Sequence, residues 1–289
     1  MVLESITNPI FAKKHPFRLF LVGMLFATIS VIFSLWIFKS QTSLVMVFLT
    51  VTATVPLMYA TMQEEEEEDL IQKNEIGILK EHSKTILFLS FLFLGFVVAF
   101  SLFAIFLPSD LAETVFSAQL DTIKAINANV AKLTGQAFDL SYGMEAFVMI
   151  FLNNVKVLLF CLFFAFFFGA GAIFILTWNA SVISAAIGAY FRNGIEYYAM
   201  SHGLTKVAIY FGVFSLSLLR YMIHGSFEIV AYFIGGLAGG IISVGMINHT
   251  LQSSKFKVIL FDAFTLMTFA IVILVFAGLI EVFVTPLFF

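Results

Sequence analysis

Charge is what this chain has least of. Of its 289 residues, 11% are Asp, Glu, Lys or Arg, against about 25% in a water-soluble domain. It has one cysteine. Cys161 therefore has no intrachain disulfide partner, and its place among phenylalanines reads as apolar packing. The formal net charge of −3 gives no basic excess to attract nucleic acid. Catalytic sets are missing as well. There is no His-Glu-x-x-His, no Gly-x-Ser-Gly, no Glu-Glu-x-x-x-Arg, no glycine-spaced calcium loop and no nucleotide-binding glycine loop behind a strand. Neither an enzyme nor a bound metal or cofactor is expected.

What is present is apolar length. The apolar share is 61%, with 38 phenylalanines, and the mean hydropathy is +1.04. About 20 apolar residues cross a hydrocarbon core as a helix. Full spans are expected at 17–38, 44–62, 86–107, 157–178, 207–223, 229–247 and 263–283, with a shorter apolar segment at 180–191. The fold class is all-α: a polytopic membrane bundle of about seven spans plus one short or re-entrant segment. The first run is too long for a signal peptide and lacks a small-x-small cleavage site, so it is expected to be a retained span. From Phe147 to Phe191 the chain is almost continuously apolar. As one helix that stretch would measure about 68 Å, more than twice the hydrocarbon thickness, so the chain must turn. Trp178–Asn179 is the expected place, because Asn disfavours helix interiors and favours caps.

Lys and Arg set the orientation. Lys13, Lys14, Arg18, Lys73, Lys80 and Lys84 fall on one side, and Lys39, Lys124 and Lys132 on the other, which places the N-terminus in the cytoplasm. A re-entrant 180–191 puts the C-terminus outside and Lys255 and Lys257 inside; a crossing one reverses both. The chain then divides into 1–62, an N-terminal arm and two spans; 63–85, an acidic cytoplasmic segment containing Glu64–Glu68; and 86–289, a membrane domain. Within the last, 108–146 forms an outer-face amphipathic segment. Its apolar residues Phe116, Leu120, Ile123, Ile126, Val130 and Leu133 recur at helical spacing, with Gln119 and Asp121 elsewhere on the wheel.

An ionisable group inside the bilayer costs at least about 2.5–3.5 kcal/mol and calls for a partner. Arg220, His224 and Glu228 fall within about 80° on one helical wheel if Gly225 does not break the helix. If it does, Glu228 caps the next span. The next residues form a helix-packing face, Ala231, Gly235, Gly239 and Ser243, of the kind that lets backbones approach closely in lipid. Ser181, Ala185 and Ala189 form a similar face, with Ser184 and Gly188 beside it. Packing of these against the 157–178 span is expected. Asn153 and Asn154 stand at its entrance, and Glu281 precedes Thr285-Pro286 near the end of the last span.

Asn153-Asn154, Gly169, Gly171, Asn179, Gly188, His224-Gly225 with Glu228, the glycine-rich span, and Glu281 with Thr285-Pro286 together resemble the stage II sporulation protein M family over about Ile86 to Pro286. The His-Gly-x-x-Glu and Glu…Thr-Pro elements are the most specific, whereas Ala180 stands where the family usually has glycine. The first two spans look like an extension of archaeal type. The resemblance implies a membrane protein that, in spore formers, scaffolds cell-wall-degrading partners during engulfment; many members belong to organisms that never sporulate. The expectation is a non-enzymatic, multi-pass cell-membrane scaffold. It would engage the lipid bilayer and membrane or cell-surface proteins, with a homo-oligomer as an option and no nucleic acid. The alternative is a broken-helix transporter or channel using Arg220, His224 and Glu228.

Overall fold

The computed structural model describes residues 15–71, 75–124, 140–168, 172–197, 203–249 and 251–287. Its helices are α1 Pro16–Ile37, α2 Thr42–Ile71, α3 Glu75–Phe106, α4 Ser109–Val115, α5 Leu140–Phe168, α6 Ala172–Tyr197, α7 Gly203–Asn248 and α8 Ser254–Leu279. A π-helical turn at Ile280–Val284 and a 3₁₀ turn at Thr285–Leu287 follow α8. There is no strand among the described residues. The protein is an all-α polytopic membrane bundle. Among the described residues, seven stretches are long and apolar enough to cross a bilayer: Pro16–Ile37, Thr42–Glu68, His82–Phe106, Gly143–Ala165, Ile173–Gly194, Gly225–Asn248 and Ser254–Val284.

Two expected boundaries are displaced. The long apolar run divides between Phe168 and Ala172, not at Trp178–Asn179. Asn179 is accommodated inside α6 because its Nδ2 donates to the Ile175 carbonyl at 2.8 Å, which satisfies the side chain without ending the helix. The short segment 180–191 is therefore the middle of a full-length span. Conversely, 207–223 and 229–247 belong to one helix, α7, which runs 46 residues through Gly225. A Cβ at Gly225 would meet nothing within 4 Å, so this glycine answers no crowding and the helix continues through it.

Contacts fix the relative directions. Ser184 Oγ of α6 donates to the Val97 carbonyl of α3 at 2.9 Å, and Gly188 lies against Ala104 farther along. These two helices are parallel, and the Ser184–Gly188 side of α6 packs on α3. Arg192 completes that interface. Its Nε donates to the Ala104 carbonyl at 2.8 Å, Nη2 to the Leu107 carbonyl, and Nη1 to Ser109 Oγ at 3.1 Å. A guanidinium thereby covers the carbonyl end of α3, where the helix dipole is negative. Helices α5 and α7 are also parallel. Gly235 faces Leu158, and Gly239 faces the Leu162 carbonyl and Ala165. Ala231 is fully buried and Ser243 nearly so.

Helix α7 is the centre of the bundle, and every residue from 231 to 241 is buried. Across the bundle, Gly23 of α1 and Gly95 of α3 sit against each other's backbones, where a Cβ on either would strike a backbone carbonyl oxygen. This is the close approach that glycine pairs permit in lipid.

Within the 108–146 segment, the described residues 108–124 do not form one continuous helix. α4 ends at Val115, a turn follows at Phe116, and helix resumes over 117–124. Val115, Phe116 and Gln119 are buried. Gln119 Nε2 donates to the Ser43 carbonyl and to Ser181 Oγ, both at 3.1 Å, which draws a residue expected on the polar face into the bundle. Ile126, Val130 and Leu133 lie outside the described residues.

Candidate functional site

Glu228 sits one turn inside the Gly225–Asn248 span of α7. Asn154, buried on α5, donates from Nδ2 to Glu228 Oε1. One turn along α7, the Tyr232 hydroxyl donates to Asn154 Oδ1 at 3.0 Å. Both ends of the Asn154 amide are thus engaged by the same neighbouring helix. Glu281 supplies the third side, its carboxyl set beside that of Glu228.

Local sequence explains how Glu281 arrives there. It lies in the π-helical turn Ile280–Val284 that follows α8, where the wider winding re-aims side chains relative to an α-helix. Thr285 Oγ1 donates back to the Ile280 carbonyl at 3.2 Å, and Pro286 stands in the 3₁₀ turn where it cannot continue the helix. Gly143 of α5 lies against Phe283, and Gly278 of α8 against Phe147, so α5 holds the end of α8 on both sides of Glu281.

Three of the motif positions read from the sequence converge: Asn154 from α5, Glu228 from α7 and Glu281 from the turn after α8. Asn153 points out of the bundle. Asn179 and Gly188 belong to α6 and its contact with α3. Arg220 and His224 lie on α7 with Glu228, but their side chains are outside the described residues, as are Gly169, Gly171 and the side chain of Pro286.

The model of the family Stage II sporulation protein M matches residues 84–286, a stretch that contains Asn154, Glu228 and Glu281. This chain belongs to the stage II sporulation protein M family. No curated protein and no solved structure matches it. The family domain accordingly runs from near the start of the α3 span to the 3₁₀ turn, and α1 and α2 precede it.

A second polar network ties α2 to that domain. The acidic run, which its charge suits to a solvated helix or linker, is the helical end of α2, with Glu67 exposed but Glu65 and Glu66 buried. Glu65 accepts from Thr85 Oγ1 and lies 2.6 Å from His82 Nδ1. The other ring nitrogen, Nε2, lies 2.9 Å from Asp262 Oδ2 on α8. Glu66 turns to α7 instead, with His249 Nε2 at 2.7 Å from one oxygen and Asn248 Nδ2 at 3.3 Å from the other. Adjacent residues on a helix point about 100° apart, so these two glutamates grip different helices.

The ends of α2 and α7 and the beginnings of α3 and α8 therefore meet at one acidic face. Glu228 is 20 residues from Asn248 along α7, a rise of about 30 Å, so the carboxyl pair belongs toward the opposite face. Lys255 and Lys257, at the start of α8, share the acidic face with Lys80 and Lys84.

Sequence reasoning reached Asn154, Glu228 and Glu281 as motif positions but did not join them. It passed over Tyr232, Arg192 and His82. Tyr232 is i+4 from Glu228, and that spacing was the available signal.

Proposed function

We propose that this protein is a non-enzymatic scaffold of the cell membrane that organises membrane or cell-surface proteins. The supporting observation is that three of the motif positions, Asn154, Glu228 and Glu281, are turned upon one another. With Tyr232 they join α5, α7 and the end of α8. Such a set holds helices in register and leaves partner contacts to the surface. With the acidic face in the cytoplasm, the 108–146 segment lies outside, and it is the expected docking element. A homo-oligomer remains compatible with this role.

The test is crosslinking in native membranes, then affinity capture and mass spectrometry. Wild type and Glu228→Gln are expected to retain a stoichiometric partner, since a glutamine keeps an acceptor for Asn154 and gains a donor for Glu281. A variant with Ile123, Ile126 and Val130 made polar is expected to lose it. Loss of the partner in Glu228→Gln, or its absence in wild type, contradicts the scaffold.

A second reading rests on two carboxyl groups, Glu228 and Glu281, set side by side toward one end of an apolar bundle. Ionisable groups in such places mark coupling sites in transporters. Under that reading Glu228→Gln abolishes flux in liposomes while the protein still inserts and folds.

A further inference from the structure

We propose that Glu65, His82 and Asp262 form a buried proton-binding site whose bound proton fastens the start of α8 to α2 and α3. Each ring nitrogen of His82 faces a carboxylate oxygen, Glu65 Oε2 at 2.6 Å and Asp262 Oδ2 at 2.9 Å. Both contacts are attractive only with a proton between each pair of atoms. A neutral imidazole has one N–H. The triad therefore carries one proton more than a neutral imidazole and two carboxylates, whether that proton resides on the ring or on a carboxyl.

The three side chains differ in access to water. Glu65 is fully enclosed, the His82 side chain is 2% exposed, and that of Asp262 is 15% exposed. Glu65 also keeps a second donor, Thr85 Oγ1. When the extra proton leaves, the remaining N–H stays on the dry Glu65 side. The Nε2 lone pair then faces Asp262 Oδ2, like against like in a site with little water to screen it. The His82–Asp262 contact is the one that opens, and water reaches it from the Asp262 side.

Other charged groups stand around the triad. From α2, Glu64 and Glu66 flank Glu65, and Glu66 is taken by His249 and Asn248 of α7. From α3, Lys80 and Lys84 stand exposed on either side of His82, and from α8, Lys255 and Lys257 are exposed one to two turns before Asp262. His82 and Glu65 precede the 84–286 match, whereas Asp262 lies within it. The proton thus joins the two-span extension and its connection to the family domain.

Hydrogen–deuterium exchange of the full-length protein in nanodiscs tests this, with protection factors followed from weakly acidic to alkaline pH. In wild type, protection across the first turns of α8, 254–262, is expected to fall in a single-proton step as pH rises. An amide in place of either carboxylate donates to the ring nitrogen without needing the extra proton. Asp262→Asn and Glu65→Gln are therefore each expected to keep α8 protected throughout and to abolish the step. Either variant serves if the other does not fold. A wild-type profile with no step, or a folded Asp262→Asn or Glu65→Gln that keeps it, overturns the proposal.

Discussion

Asn154 shows how much one side chain can do inside a bilayer. Its amide gives a donor to Glu228 and an acceptor to Tyr232, and leucine at that position supplies neither. A buried group left without its partner costs about 1–3 kcal/mol. Asn154→Leu should therefore lower stability by about that amount, read as an earlier thermal transition in detergent. Asn153→Leu, one residue away and exposed, should leave the transition where it is. At this scale the sequence was legible in part. Paired asparagines and intramembrane carboxyls are conspicuous in a chain so poor in polar groups. Which asparagine faces inward was not, because both orientations suit a boundary. The partnership of Glu228 with Glu281 was also hidden, since it depends on a π-helical turn that no spacing rule announces.

Helix α7 carries two glycines of opposite meaning, and they make the clearest contrast among the elements. At Gly225 an added methyl meets nothing, whereas at Gly239 it strikes the Leu162 carbonyl and Ala165 of α5. Alanine favours a helix over glycine by about 0.8–1 kcal/mol, so Gly225→Ala should leave stability unchanged or slightly raised. Gly239→Ala should lower it by about 1–3 kcal/mol through overpacking, and a thermal melt of the two variants side by side measures the difference. The small-residue ladder that reveals Gly239 was plain in the sequence, since four-residue spacing of Gly, Ala and Ser has few other causes in an apolar helix. The boundaries were not. Asn179 looked like a cap but bonds its own helix, and Gly225 looked like a breaker but is buried inside α7 with room for a methyl group.

For the whole molecule, the two polar networks stand about 30 Å apart along α7, close to the thickness of the hydrocarbon, with the glycine-lined contact between α5 and α7 in between. One network joins α5, α7 and the end of α8 within the family domain. The other brings α2 into it. The apolar runs were enough to give the fold class. The incorporation of α2 was not readable, because a run of five glutamates resembles a solvated face until the histidines that meet it are located. His82 and His249 are 167 residues apart in the chain, and nothing local connects either to Glu65 or Glu66.

The central claim is that the family's intramembrane carboxyls act as structural ties, and a double-mutant cycle on Glu228 and Glu281 tests it most directly. Glu228→Leu leaves both Glu281 and Asn154 Nδ2 without their partner, and Glu281→Leu removes one of the two neighbours of Glu228; each should cost about 1–3 kcal/mol, whereas replacing both removes the stranded Glu281 carboxyl. The account predicts that the double variant is less destabilised than the sum of the singles by about 1 kcal/mol or more. Additivity within about 0.5 kcal/mol, the behaviour of independent sites, would contradict it.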